Sequence, residues 1–337
     1  FDINLLKEKV IMKRTYNIDE RIAWRPAIVE KDHTLYNWPF NPMKGLMWLK
    51  DYLFRPIQIF HAVLALFVWF FLTPDMSKMQ IFSWDWILVI YLRNVALLFL
   101  VTGSIHFWLY IKNGQGDQCQ YDNKGLREND PRFWFQDQTR ENMFFGIVSG
   151  CGIWTLYEAF TYWMFANGFI LFPVEWLESS IYISILFILV PHIHIHYFYF
   201  SHRLTHWKPL YDSAHYLHHK NVNTGPWSGL SMHPIEHLIY FSGVFLYWII
   251  PSHPIHACCN LLYVGIAPTW GHSGFDKIII KNREIIKMEY FHYLHHRYFE
   301  CNYGNPSVPW DRFFGSFFDG SKESKKLMQT RLKTMKN

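Results

Sequence analysis

The chain has 337 residues, half of them apolar and one fifth aromatic, with 18% charged and a net charge of +5. Soluble domains carry about 25% charged residues, and five scattered cysteines (Cys119, Cys151, Cys258, Cys259, Cys301) without a CxxC pair exclude a disulfide scaffold and a thiolate zinc site. The modest positive charge suits an anionic membrane surface better than nucleic acid, so no nucleic-acid partner is expected.

Residues 1–55 form a polar, basic segment with ten Lys/Arg; it begins at Phe1, and no targeting peptide is read from it. Residues 56–320 follow without a Gly/Ser-rich linker and read as one membrane-embedded domain; residues 321–337 are a basic tail. A bilayer takes roughly 20 apolar residues to cross. Four stretches qualify: Ile57–Thr73, Trp86–Ile111, Met143–Gly168 and Ser180–Phe200. The loops between them alternate in charge, with one Lys/Arg in Pro74–Asp85, five in Lys112–Asn142 and none in Leu171–Ser179. Positive loops stay inside, so both ends of the chain are expected on the cytosolic side or its equivalent. Arg93 and Glu158 fall within spans and are expected to face the bundle interior, as a structural pair or as water-satisfied groups rather than catalysts. Leu238–Trp270 is apolar again, but Pro251-Ser-His-Pro254 splits it. It reads as a re-entrant helical hairpin. The fold class expected is therefore all-α: a membrane bundle of about four spans plus that hairpin.

Of 19 histidines, 16 lie between His192 and His296. His202 and His206 stand four apart, on one helix face. His215, His218 and His219 occur in HYLHH, and the same pentapeptide returns with His292, His295 and His296. His272 stands in Gly271-His-Ser-Gly274. Neutral imidazole ligates zinc, copper, iron and nickel, and so many unligated buried rings would strand polar nitrogens. These nine exceed what one tetrahedral ion takes, so the count implies two metals. Asp212 and Glu289, each three residues before an HYLHH, are candidates to hold a ligating ring by its other nitrogen. His233-Pro-Ile-Glu236-His237 fits the HxxEH protease pattern, but that reading leaves the nine others unexplained; His233 and His237 are expected to be structural, with His233 a reserve ligand. His192, His194 and His196 read as lining or hydrogen-bonding residues.

From Arg93 to Gly320 the chain resembles the fatty acid hydroxylase/sterol desaturase superfamily. The resemblance rests on HRLTH (202–206), HYLHH (215–219), MHPIEH (232–237), GHSGFD (271–276), HYLHH (292–296), NYG (302–304) and WDRFFGSF (310–317). The run NVNTGPWSGLSMHPIEHLIYFSG is closer to the bacterial-type sterol desaturase-like branch, and HSGFD is similar to the methylsterol oxidases. The resemblance implies a cytosol-facing cap that holds two iron ions among the histidines; zinc can stand in for them. It implies O₂-dependent hydroxylation or desaturation of a sterol or fatty acyl lipid drawn from the bilayer. No catalytic side chain beyond the ligands is expected, and no organic-cofactor site. Related hydroxylases have HxxxH where this chain has His272 and Asp276, so either Asp276 ligates or a position stays open. No dinucleotide fingerprint or haem-attachment motif is present, so electrons are expected from a b-type cytochrome or a ferredoxin with its reductase. The membrane implied is the endoplasmic reticulum or a bacterial inner membrane, with a mitochondrial membrane as the other option. The alternative reading is an accessory subunit of a larger membrane assembly that keeps the fold and the metal site. A Phe start and the long polar first segment fit that reading.

Overall fold

The computed structural model describes residues 22–26, 35–36, 38–170 and 179–336. Parts of the N-terminal segment (1–21, 27–34, 37) and of the loop after the third span (171–178) lie outside the described residues.

The first expected span is the second half of a bent pair. Helix α1 (Pro42–Leu53) and helix α2 (Pro56–Leu72) meet at 57°. Pro56 lacks an amide proton and disfavours helical backbone before it, and Arg55 is extended. At a rise of 1.5 Å per residue α1 is about 18 Å long, too short to cross. It exposes Met43, Leu46 and Met47 next to Lys44 and Lys50, the pattern of a helix lying in the interface.

Three helices are long and apolar enough to span: α3 (Trp84–Ile111), α4 (Gln138–Ala166) and α5 (Ser180–Thr205). Helix α4 starts at Gln138 rather than Met143 because Asp137 caps it, accepting from the Arg140 amide. Helix α5 runs past Phe200 to Thr205 and so carries His202 on its last turn. Leu88, Leu92, Phe99 and Leu100 on α3, and Ile181, Ile185 and Ile188 on α5, are exposed. Apolar bands of this extent belong in lipid, and the chain is an integral membrane protein.

Arg93 and Glu158 face each other between α3 and α4 at 2.6 Å, both buried. Asn94 completes the group: its Oδ1 accepts from Arg93 at 2.9 Å and its amide donates to Glu158 at 3.2 Å. Removing one member of a buried pair strands the other charge, at a cost of about 3–5 kcal/mol. Glu158→Leu is therefore expected to lower the melting temperature in detergent strongly, and Arg93→Met with Glu158→Leu to recover most of the loss. A double variant as unstable as the single would contradict this.

The expected hairpin breaks where Pro251 and Pro254 fall. Helix α6 (Pro234–Phe241) and two short turns lead out, and helix α7 (Pro254–Ile266) returns. All of α7 except Tyr263 is buried, packed against α2, α4 and α5. A largely apolar helix buried on nearly every face is a core element, and at about 20 Å it cannot span. Gly265 fixes its closest approach: a Cβ there would lie 2.4 Å from the Trp154 ring.

One element was not foreseen. Strands β1 (Lys277–Ile280) and β2 (Arg283–Lys287) form an antiparallel hairpin. Lys281 and Asn282 turn it, both with positive φ (50° and 61°), as a two-residue turn of this kind requires. The second HYLHH lies on helix α8 (Tyr290–Tyr298), and the tail forms helix α9 (Lys322–Lys336). Ile22 near the start and Met328 near the end both pack with Tyr290, Tyr293 and Leu294 of α8. Both ends of the described chain thus meet on the side that carries the histidines.

Candidate metal centre

All nine histidines singled out by spacing come together, in two groups. His202, His206, His215, His219 and His295 form one; His218, His272, His292 and His296 form the other. Within each, one ligand atom per ring lies within 4.8 Å of every other. The neighbours His218 and His219, and His295 and His296, divide between the groups because successive helical positions point about 100° apart. One helical run thereby serves both.

The outward nitrogens settle which inward ones are bare. A backbone carbonyl only accepts, so a ring that meets one through Nδ1 carries its proton there. His202 donates in this way to Tyr303 O at 2.6 Å, His218 to Ser231 O at 3.1 Å and His272 to Pro268 O at 2.7 Å. His295 donates to Cys301 O at 2.5 Å and His296 to Asn221 O at 3.1 Å. Each Nε2 then presents a lone pair. Yet His272 Nε2 lies 3.2 Å from that of His218 and 3.0 Å from that of His296. In the other group, His295 Nε2 is 3.1 Å from His219 Nε2 and 3.2 Å from His206 Nε2. Where both nitrogens are bare, as at His272 with His218 and His296, two lone pairs do not hydrogen-bond, and a cation between them accounts for the approach. Nitrogens bound to one ion at 2.0–2.2 Å lie about 3–3.6 Å apart for right-angle to tetrahedral geometry. The residues present fit two metal ions.

Burial holds His215, His218, His219, His292, His295 and His296 well below the ordinary imidazole range, and neighbouring rings push them further. Burial lowers His272 to about 4. These rings are neutral, the form that ligates.

The supporting acid is one that sequence reasoning had set aside. His215 Nδ1 meets Glu236 Oε1 at 2.6 Å, both buried. Asp212 instead pairs with Lys208 at 2.6 Å on the surface. Glu289 accepts from the Asn305 amide at 3.1 Å and forms part of a cavity wall. Asp276 and His233 belong to neither group: Asp276 Oδ1 accepts from Tyr121 at 3.3 Å, and His233 caps α6 by accepting from the Ile235 amide. His237 is held between Ser149 and Leu230 O. His192 and His196 both meet the Tyr36 hydroxyl, at 3.0 and 2.7 Å, while His194 is buried.

The NYG and WDRFFGSF motifs acquire a part in the same scaffold. Asp311 accepts from the Tyr303 and Gly304 amides at 2.9 and 2.8 Å and from Ser316 Oγ at 2.6 Å. It thus fixes the carbonyl that orients His202. Asn302 donates to Phe291 O and Phe318 O and accepts from the Phe318 amide at 2.7 Å, locking α8 to the following loop.

A cavity of about 90 Å³ borders the groups through His202, His218, His272 and His292; apolar Phe198, Met232 and Ile239 form part of its wall, and Glu236, Glu289 and Asn305 another part. A larger one of about 360 Å³ adjoins it and runs to the α1–α2 bend.

Residues 185–316 match the family model described as Fatty acid hydroxylase. The chain is 26% identical to methylsterol monooxygenase 1 of Gallus gallus over 273 residues, 79% of this chain and 87% of that protein. It is 29% identical over 119 residues to the Delta(7)-sterol 5(6)-desaturase of Saccharomyces cerevisiae, and 31% over 120 residues to that of Candida glabrata. Each of these stretches is 35% of this chain, and the chain spans about a third of either desaturase. No solved structure matches the chain.

Proposed function

We propose that this chain, which carries a fatty acid hydroxylase region over residues 185–316, is a membrane-bound di-iron oxidoreductase that uses O₂ to hydroxylate or desaturate a sterol-class lipid. The observation that carries the reading is the pair of all-histidine groups whose ring nitrogens converge beside a partly apolar cavity. Two reduced iron ions held there would supply the oxidising power that an unactivated C–H bond demands, which no side chain has. The named relatives oxidise sterols by their names, which favours a sterol over a fatty acyl chain.

The chain's own residues do the rest. Backbone carbonyls and Glu236 hold six of the nine rings in one tautomer, so little reorganises there during turnover. Phe198, Met232 and Ile239 give the cavity an apolar side for a hydrocarbon edge against His202, His218, His272 and His292. The overall reaction needs two electrons and two protons per O₂ beyond those of the substrate, and these come from a separate carrier. Zinc would fill the same groups without activity.

The test is O₂ uptake by iron-loaded protein in nanodiscs with a chemical reductant, with and without added sterol. Uptake that rises several-fold with sterol and matches oxidised product is expected. Uptake indifferent to every sterol and acyl lipid, with stoichiometric co-purification of other membrane subunits, would favour the assembly-subunit reading.

A further inference from the structure

We infer that Asn221 is the positioning residue of the four-histidine group: held by Gln138 and Asn142 at the start of α4, it fixes the peptide oxygen that orients His296. The inference deepens the function proposed above and rests on its two metal ions.

The run Asn221-Val-Asn-Thr-Gly225 follows Lys220 and the first HYLHH. Its first peptide oxygen accepts from Nδ1 of His296, in the second HYLHH, at 3.1 Å. The Asn221 side chain ties that peptide to the span. Its amide donates to His218 O at 3.1 Å, and a carbonyl only accepts, so Oδ1 is the end that faces α4. There it accepts from Gln138 Nε2 and from Asn142 Nδ2, both at 2.9 Å. Gln138 is oriented by the same reasoning. The Arg127 amide can only donate, and it meets Gln138 Oε1 at 3.0 Å, which turns Nε2 towards Asn221 Oδ1 and Asn223 O. Gln138 and Asn142 stand four apart, on one face of α4, and all three amides are buried. The neighbouring Lys220 pairs with Glu141 of the same helix.

Asn221 therefore grips His218 through its side chain and His296 through its main chain, and both rings belong to the four-histidine group. The five-histidine group takes its orienting bonds elsewhere, from Tyr303 O, Cys301 O and Glu236. Loosening Asn221 should be felt at one ion and not at the other.

Asn142 separates positioning from packing. Its Oδ1 is buried and meets no partner among the described residues. An apolar residue of similar size would avoid that cost, so packing alone does not call for an amide here. The bond to Asn221 does.

The test is chelator competition on the zinc-loaded full chain in nanodiscs, with melting curves of the metal-free protein beside it. The variants are Asn221→Leu, Asn221→Asp, Gln138→Leu, Asn142→Leu and Asn221→Leu combined with His296→Ala. Asn221→Leu is expected to release one ion about 10–100-fold more readily than wild type, the usual effect of loosening a ligand's second-nitrogen partner, and to hold the other as wild type does. Asn221→Asp still accepts from Gln138 and Asn142 and should recover much of the loss. Gln138→Leu and Asn142→Leu should weaken the same ion, and metal-free Asn142→Leu should melt no lower than wild type. His296→Ala has already given up that ion, so adding Asn221→Leu should leave the remaining one unchanged. Both ions weakened alike, no weakening in the folded variants, or a further loss beside His296→Ala overturns the assignment. A lower melting point for metal-free Asn142→Leu overturns the part given to Asn142. If Asn221→Leu does not fold, Gln138→Leu and Asn142→Leu decide. Fewer than two zinc ions on wild type would sink the two-metal reading and this inference with it, whereas two ions with unselective losses would sink the inference alone.

Discussion

Replacing His296 with alanine is expected to remove one of two metal ions per chain, and with it turnover. His296 is one of four rings in its group, and the three that remain are the minimum a catalytic site keeps. His295→Ala should behave differently, since its group has five rings and retains four; that ion is held more weakly but not lost. Both variants should lose more activity than the roughly 10–100-fold that follows from removing a supporting hydrogen bond. Elemental analysis of gently purified protein, with a melting curve beside it, reads the outcome. Two ions per chain in folded His296→Ala protein would refute the assignment of that group.

The histidines were legible because ligand spacing is a local property. Four-apart and three-apart positions share a helix face whatever the rest of the fold does, and HYLHH twice over states the pattern in full. The spans were legible for the same reason: twenty apolar residues need no tertiary context. What escaped the sequence depends on long-range packing. Glu236 reaches His215 across 21 positions, and nothing in MHPIEH says which way its carboxylate points. Asp212, three residues before its histidine, looked better placed, but Lys208 one helical turn back draws it to the surface. The β-hairpin escaped because KIII–KN–REIIK lacks clean alternation and the usual Asn-Gly turn. The WDRFFGSF motif was readable only as a likeness; its part in orienting His202 runs through Asp311 and the Tyr303 carbonyl, a path that exists only once the chain has folded.

Glu236→Ala is expected to weaken metal binding in the five-histidine group or the resulting activity by about 10–100-fold, the usual effect of removing the partner of a ligating ring's second nitrogen. Its Oε1 is 2.6 Å from His215 Nδ1 with both side chains buried, so alanine leaves that N–H without an acceptor and frees the ring to change tautomer. Charge adds to geometry. Burial raises the Glu236 carboxyl well above its ordinary range; a dication beside it draws it back to carboxylate, so metal and deprotonated Glu236 favour one another. Glu236→Gln keeps an acceptor for the N–H but loses the charge, and should fall between wild type and alanine. Asp212→Ala, at an exposed position, should change stability by no more than about 0.5 kcal/mol and leave metal content untouched. Combining Glu236→Ala with His215→Ala should cost little beyond His215→Ala alone, because the acid acts through that ring. Metal titration of the five variants decides it: metal loss in Asp212→Ala, or additive losses in the double variant, would remove Glu236 from the role assigned to it.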